Sequence, residues 1–292
     1  MINVNYLLYA FTSLLLMSIE RQTFRTFDAM LDLSSYPFPT YTPDRIIAWI
    51  VSSFVFLSLI LWLIQSIQTH FQPIRIIIAL LISHSMIFTE LMIRATTNLM
   101  QENPKIIYMT MTILYTIGQR SIIVANYTCL LQFSEKKSHF RWIFLGISVS
   151  IVLSDILMTP AGFLSFQSHQ IHLSFLFRQL STSMMCFISL LFYLIWFCTR
   201  TYSSMSYKVI LLLLISSSNC LVITIFLFIM SFPRYYIQFN DNEQWFYLCQ
   251  ILPILLTLYA WSLLHPKRSF SFRNRWIVEK DECNSKRSSY VF

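Results

Sequence analysis

The sequence predicts an all-α integral membrane protein, a seven-helix transmembrane bundle with its N-terminus outside and its C-terminus cytoplasmic. Composition is the first reason. Apolar residues make up 56% of the 292-residue chain, charged residues only 12%, and there are three glycines. A soluble domain of this length has no core large enough for that much apolar surface, so lipid must be the solvent for much of it. The second reason is the recurrence of apolar runs of roughly 20 residues, the length that spans a bilayer as a helix. The third is tryptophan placement. Trp49, Trp62, Trp142, Trp196, Trp245 and Trp261 all fall near the ends of those runs, where an amphipathic ring prefers the membrane interface.

In chain order, residues 1–45 read as an extracytoplasmic segment. Its apolar stretch Tyr6–Met17 is too short to span, and no Lys or Arg precedes it. It reads as interfacial or weakly inserted, with a cleaved signal as the alternative. The crossings follow within residues 46–264: Ile46–Ile67, Arg75–Ile93, Ile106–Leu131, Trp142–Leu164, Leu180–Cys198, Val209–Phe232 and Gln244–Leu264. Residues 265–292 form a basic cytoplasmic tail. Orientation rests on Lys and Arg, which concentrate at Lys136, Lys137, Arg141, Arg200, Lys208 and in the tail, the side that stays cytoplasmic. The formal net charge of +8 is therefore topogenic charge facing anionic lipid, and nucleic acid is excluded as a partner because the cations share no face.

Polar residues at bilayer depth need a partner, a cavity or a function. Glu90 and Arg94, four apart, share a helix face. Asp155 lies about 21 Å along its helix from Arg141, and Glu90 about 22 Å from Arg75, at 1.5 Å per residue. Two carboxylates at one depth on different helices suggest a shared pocket in the outer half. Gln250 enters from outside to face it, and Arg120 is placed to neutralise one of them. The competing reading is a structural pairing that fixes helix register. Pro160 and Pro253 are expected to kink their helices, and Ser216-Ser-Ser-Asn219 to serve interhelical packing.

The six cysteines lack Cys-x-x-Cys spacing and read as small core hydrophobes, apart from Cys283 in the tail. His84, His169 and His172 show no metal-ligand arrangement. No nucleotide loop, zinc helix or nucleophile elbow is present, so neither an enzyme nor a cofactor is expected.

Several elements together resemble the mainly fungal RTA-like family of lipid-translocating exporters associated with aminocholesterol resistance. Tyr41-Thr-Pro43 precedes the first crossing, and Glu90-Leu-Met-Ile-Arg94 lies in the second. Ala125-Asn-Tyr127 closes the third, Asp155 with downstream Gly162 marks the fourth, and Gln179 opens the fifth. The seventh begins Glu243-x-x-x-Tyr247 and finishes His265-Pro266. The resemblance covers about Tyr41 to Pro266. Gln250 stands where the family has an Asp, and apolar residues around Ile223–Phe232 replace its charged pair.

The resemblance implies a protein that binds, moves or senses an amphipathic lipid such as a sphingoid base or sterol-like amine. The Glu90, Arg94, Asp155 and Gln250 pocket would take the headgroup. Membrane lipids are the expected partners, a cytoplasmic partner is not identified, and the plasma membrane is favoured over internal membranes. The rival is a seven-transmembrane chemosensory receptor of the G-protein-coupled type, working through Lys136, Lys137 and Arg141.

Overall fold

A computed structural model describes residues 44–97, 104–133, 137–202, 205–240 and 242–265. Tyr6–Met17, Tyr41, Pro43, Pro266 and most of the tail lie outside those residues. All regular structure among the described residues is helical: α1 (Arg45–Gln68), α2 (Ile74–Thr96), α3 (Pro104–Phe133), α4 (Lys137–Leu164), α5 (Ile171–Tyr202), α6 (Tyr207–Met230), a short α7 (Pro233–Asn240) and α8 (Glu243–Leu263). Six of them, α1, α2, α4, α5, α6 and α8, are long and apolar enough to cross a membrane. The expected third crossing, α3, is long enough at 30 residues. It carries too many polar groups, Gln119, Arg120 and Asn126 among them, to join that set on composition.

Packing explains the composition. α1 packs on α2, α2 on α3, α4 on α5, α5 on α6, α6 on α8, and α8 returns to α1. α3 bridges α2 and α4 and also touches α5 and α6. Gln119, Arg120, Asn126 and Thr128 are all buried, so they face protein and not lipid. A helix surrounded by other helices has no need of an apolar exterior.

The outer helices show the reverse pattern. α1 buries Ala48, Ser52, Val55, Ser58, Trp62 and Ser66 along one face and exposes Ile46, Ile50, Phe54, Phe56 and Leu57. Small residues let helices approach, and large apolar ones meet the hydrocarbon. One such approach is at Gly118 on α3. A Cβ built there would stand 2.7 Å from Cδ1 of Ile87 on α2.

Local signals set the ends. The Asp44 side chain caps α1 by accepting from the backbone N–H of Ile46 and Ile47 at 2.9 and 3.3 Å. Asn242 caps α8 by accepting from the Gln244 N–H at 3.0 Å. The Asp44 N–H donates to Glu243 Oε2 at 2.8 Å, so the starts of α1 and α8 share one end of the bundle. This is the Asp44 end; the other is the His265 end.

Two expectations change. Trp62 and Trp261 are fully buried and pack edge to face with centroids 6.4 Å apart. They are core residues and not interface anchors, since facing helices offer those rings more contact than headgroups do. α8 accommodates Pro253 through a wide turn. Tyr247–Ile251 is π-helical, and the Leu252 N–H bonds back to the Tyr247 carbonyl. The extra width relieves the clash a proline ring otherwise makes with the carbonyl four residues back.

Candidate functional site

The expected shared acidic pocket resolves into two separate clusters, each carboxylate with its own arginine. The first lies near the Asp44 end. Glu90, six residues before the end of α2, is 1% exposed, and Arg94 is 8% exposed. Arg94 Nη2 and Nε donate to the same carboxylate oxygen, Glu90 Oε1, at 2.9 and 3.2 Å. The guanidinium also stands 3.9 Å from the centroid of Phe246 on α8, a cation–π contact that ties α2 to α8. Phe246 meets Tyr115 of α3 at 6.3 Å and Tyr247 at 5.3 Å. Tyr115 is close enough to feel the charge of Glu90. Tyr247 is similarly close to Arg94, Glu243 and Glu90.

The second cluster lies near mid-depth. Arg120 of α3 forms an ion pair with Asp155 of α4. Its Nη2 also donates to Ser154 Oγ at 3.0 Å and Ser181 Oγ at 3.2 Å. Ser181 Oγ donates to the Ser154 carbonyl at 2.9 Å, which draws α4 and α5 together around the guanidinium. Exposure is lopsided: the Arg120 side chain is 6% exposed and that of Asp155 38%. Asp155 lies three residues after Val152 and four before Thr159, both exposed. Its carboxylate therefore borders the outward surface of α4, about 14 Å along the helix from Leu164.

Gln250 joins neither cluster. It lies on the π-helical turn, partly exposed, and makes no hydrogen bond among the described residues. The remaining motif residues tie helices together. Tyr127 Oη donates to the Ile188 carbonyl at 2.6 Å, and Gln179 Nε2 to the Ser231 carbonyl at 3.2 Å. The Gly162 carbonyl accepts from Ser165 Oγ at 2.6 Å. His265 is buried with its ring 4.9 Å from that of Trp62.

Two further polar sets hold the core. Ser216 Oγ donates to Asn126 Oδ1 at 2.6 Å and accepts from Trp261 Nε1 at 3.0 Å, linking α3, α6 and α8. His84 uses both ring nitrogens, with Nδ1 2.8 Å from the Leu80 carbonyl and Nε2 3.1 Å from Ser58 Oγ. The carbonyl can only accept, so Nδ1 carries the proton. Ser58 Oγ lies 3.1 Å from Ser262 Oγ.

Sequence reasoning missed Tyr115, Gln119, Ser154, Ser181 and Phe246. Tyr115 and Gln119 at i, i+4 on a helix that also bears Arg120 carry a usable signal, because three polar side chains on one crossing imply a protein-facing surface. Nothing in sequence marks Phe246 as the ring beneath Arg94. Among the described residues no group of three His, Cys, Asp or Glu side chains converges on a point. No protein-family model, no curated protein and no solved structure matches the chain.

Proposed function

We propose that this protein is a seven-crossing membrane protein, N-terminus outside and C-terminus cytoplasmic, that binds or moves an amphipathic lipid. It would be a diverged relative of the RTA-like exporters, acting at the plasma membrane. The observation that carries the reading is the Arg120–Asp155 pair. A buried guanidinium holds a carboxylate that borders the outward face of α4, which in a bilayer would stand at hydrocarbon depth, about 14 Å from the helix end at Leu164. A charged group there is costly against lipid tails, and a lipid headgroup arriving sideways between α3 and α4 would find in it a polar partner. An amine would meet Asp155, and the apolar faces of α4, with Val149, Val152 and Ile156 exposed, would take the tail.

Parity supports the count of seven. With α3 crossing, six passages separate Asp44 from Glu243, and an even number returns the chain to the end it left. The hydrogen bond between those two residues has that parity; five passages would not.

Asp155→Asn is expected to lower flux of a labelled long-chain amine at least several-fold in proteoliposomes of the purified protein, with insertion intact. Unchanged flux in a well-folded Asp155→Asn protein would sink the reading. Ligand-dependent recruitment of a G protein without any flux would favour the receptor.

A further inference from the structure

The Glu90 cluster contains more polar atoms than it satisfies. Arg94 takes only one carboxylate oxygen, and Glu90 Oε2 is buried with no hydrogen-bond partner among the described residues. The same holds for Tyr115 Oη and Gln119 Nε2. Tyr115 is 6% exposed and Gln119 2%. Being four apart, they share one face of α3. Gly118 of α3 lies directly against Ile87 of α2. Because the two helices run antiparallel, Tyr115 falls level with Glu90, and Gln119 lies one turn deeper.

An unpaired buried polar atom is costly, and an unpaired charged oxygen more so. Three of them on one helix seam call for an occupant. Geometry restricts what that occupant is. Calcium takes about 6–8 oxygen ligands, and here one carboxylate oxygen, one phenol and at most the Gln119 amide oxygen are on offer, with a guanidinium beside them. A lipid headgroup needs volume, whereas these atoms present almost no surface to solvent. A proton needs neither ligands nor room.

We infer that Glu90 is a proton-binding site of this protein, taking up a proton on Oε2. The proton comes from the aqueous phase at the Asp44 end and adds to an oxygen lone pair, cancelling the carboxylate charge; release reverses the step. Among the described residues the charged and titratable groups around Glu90 are Arg94 on its own helix, Tyr115 on α3 and Tyr247 on α8, with Glu243 next to Tyr247 and Cys220 of α6 next to Tyr115. When Glu90 is neutral, its charge no longer faces Arg94, while the guanidinium keeps its contact with Phe246 of α8. The site is independent of the lipid reading, since it needs no lipid cargo.

The test is infrared difference spectroscopy of the full-length protein in lipid bilayers, between low and high pH, with carbon-13 label in glutamate. A protonated-carboxyl C=O band is expected in wild type, lost in Glu90→Gln and retained in Asp155→Asn. A Glu90→Gln spectrum that keeps every wild-type band overturns the assignment. Tyr115→Phe covers the case in which Glu90→Gln fails to fold. It removes the neighbouring phenol, so the band must shift in frequency, and an unmoved band also overturns the proposal. Absence of lipid flux with the band present would refute the transport reading and leave the proton site standing.

Discussion

Single side chains hold this bundle together at polar points that its apolar surroundings make consequential. Ser216 is the clearest. One hydroxyl donates to Asn126 and accepts from Trp261, so Ser216→Ala strands two buried partners. The expected loss is at least about 2 kcal/mol, from about 1–3 kcal/mol for each unsatisfied buried group. It is measurable by thermal unfolding in detergent as a drop in Tm. Tyr193→Phe removes only a bond to Ser218 of 3.2 Å at an exposed site and should change stability by less than about 0.5 kcal/mol. The sequence already places serines of the sixth crossing in interhelical contacts. It does not reveal which partner each one finds, because that depends on rotation about the helix axis, and position along a helix gives only depth. The same limit explains the carboxylates. Depth put Glu90 and Asp155 level, whereas rotation gave each a different arginine.

At the scale of the helix, the spans were legible and the faces were not. Lipid forces apolar runs of bilayer length, and Arg45–Gln68 and Tyr207–Met230 lie within a few residues of where those runs begin and end. Core and lipid are both apolar, so neither face of α1 or α6 announces itself by hydropathy, and Trp62 and Trp261 were read as interface anchors. α5 starts at Ile171, well before the apolar run at Leu180, because Ser174 and Arg178 are buried there. The α2–α3 seam gives a direct check. Gly118→Ala puts a methyl against Ile87, itself fully buried, and should cost about 1–3 kcal/mol as overpacking. Gly146→Ala meets nothing within 4 Å and should gain up to about 1 kcal/mol from helix propensity. Equal melting temperatures for the two variants would contradict the described approach of α2 and α3.

For the whole molecule the open quantity is whether α3 passes through the bilayer. Its polar side chains are buried against the neighbouring helices, which is why composition alone does not place it among the spans. Cysteines introduced at Gln101→Cys and Lys136→Cys, before and after α3, provide the measurement. In intact cells an impermeant thiol reagent should modify the first and spare the second. Labelling of both would leave α3 on one side and would also break the parity that brings Asp44 to Glu243.

The wide turn at Tyr247–Ile251 has a consequence for the phase of the last helix. It inserts one residue more than a regular α-helix would use, so the segment carrying Glu243, Phe246 and Tyr247 is offset by about 100° and 1.5 Å from where an unbroken helix ending at Trp261 would put it. Pro253 favours that offset by leaving the Cys249 carbonyl without its usual donor. A relaxed turn would swing Phe246 out from under Arg94 while Trp261 stayed on Trp62. One half of the helix can thus change its aromatic neighbours while the other half remains fixed.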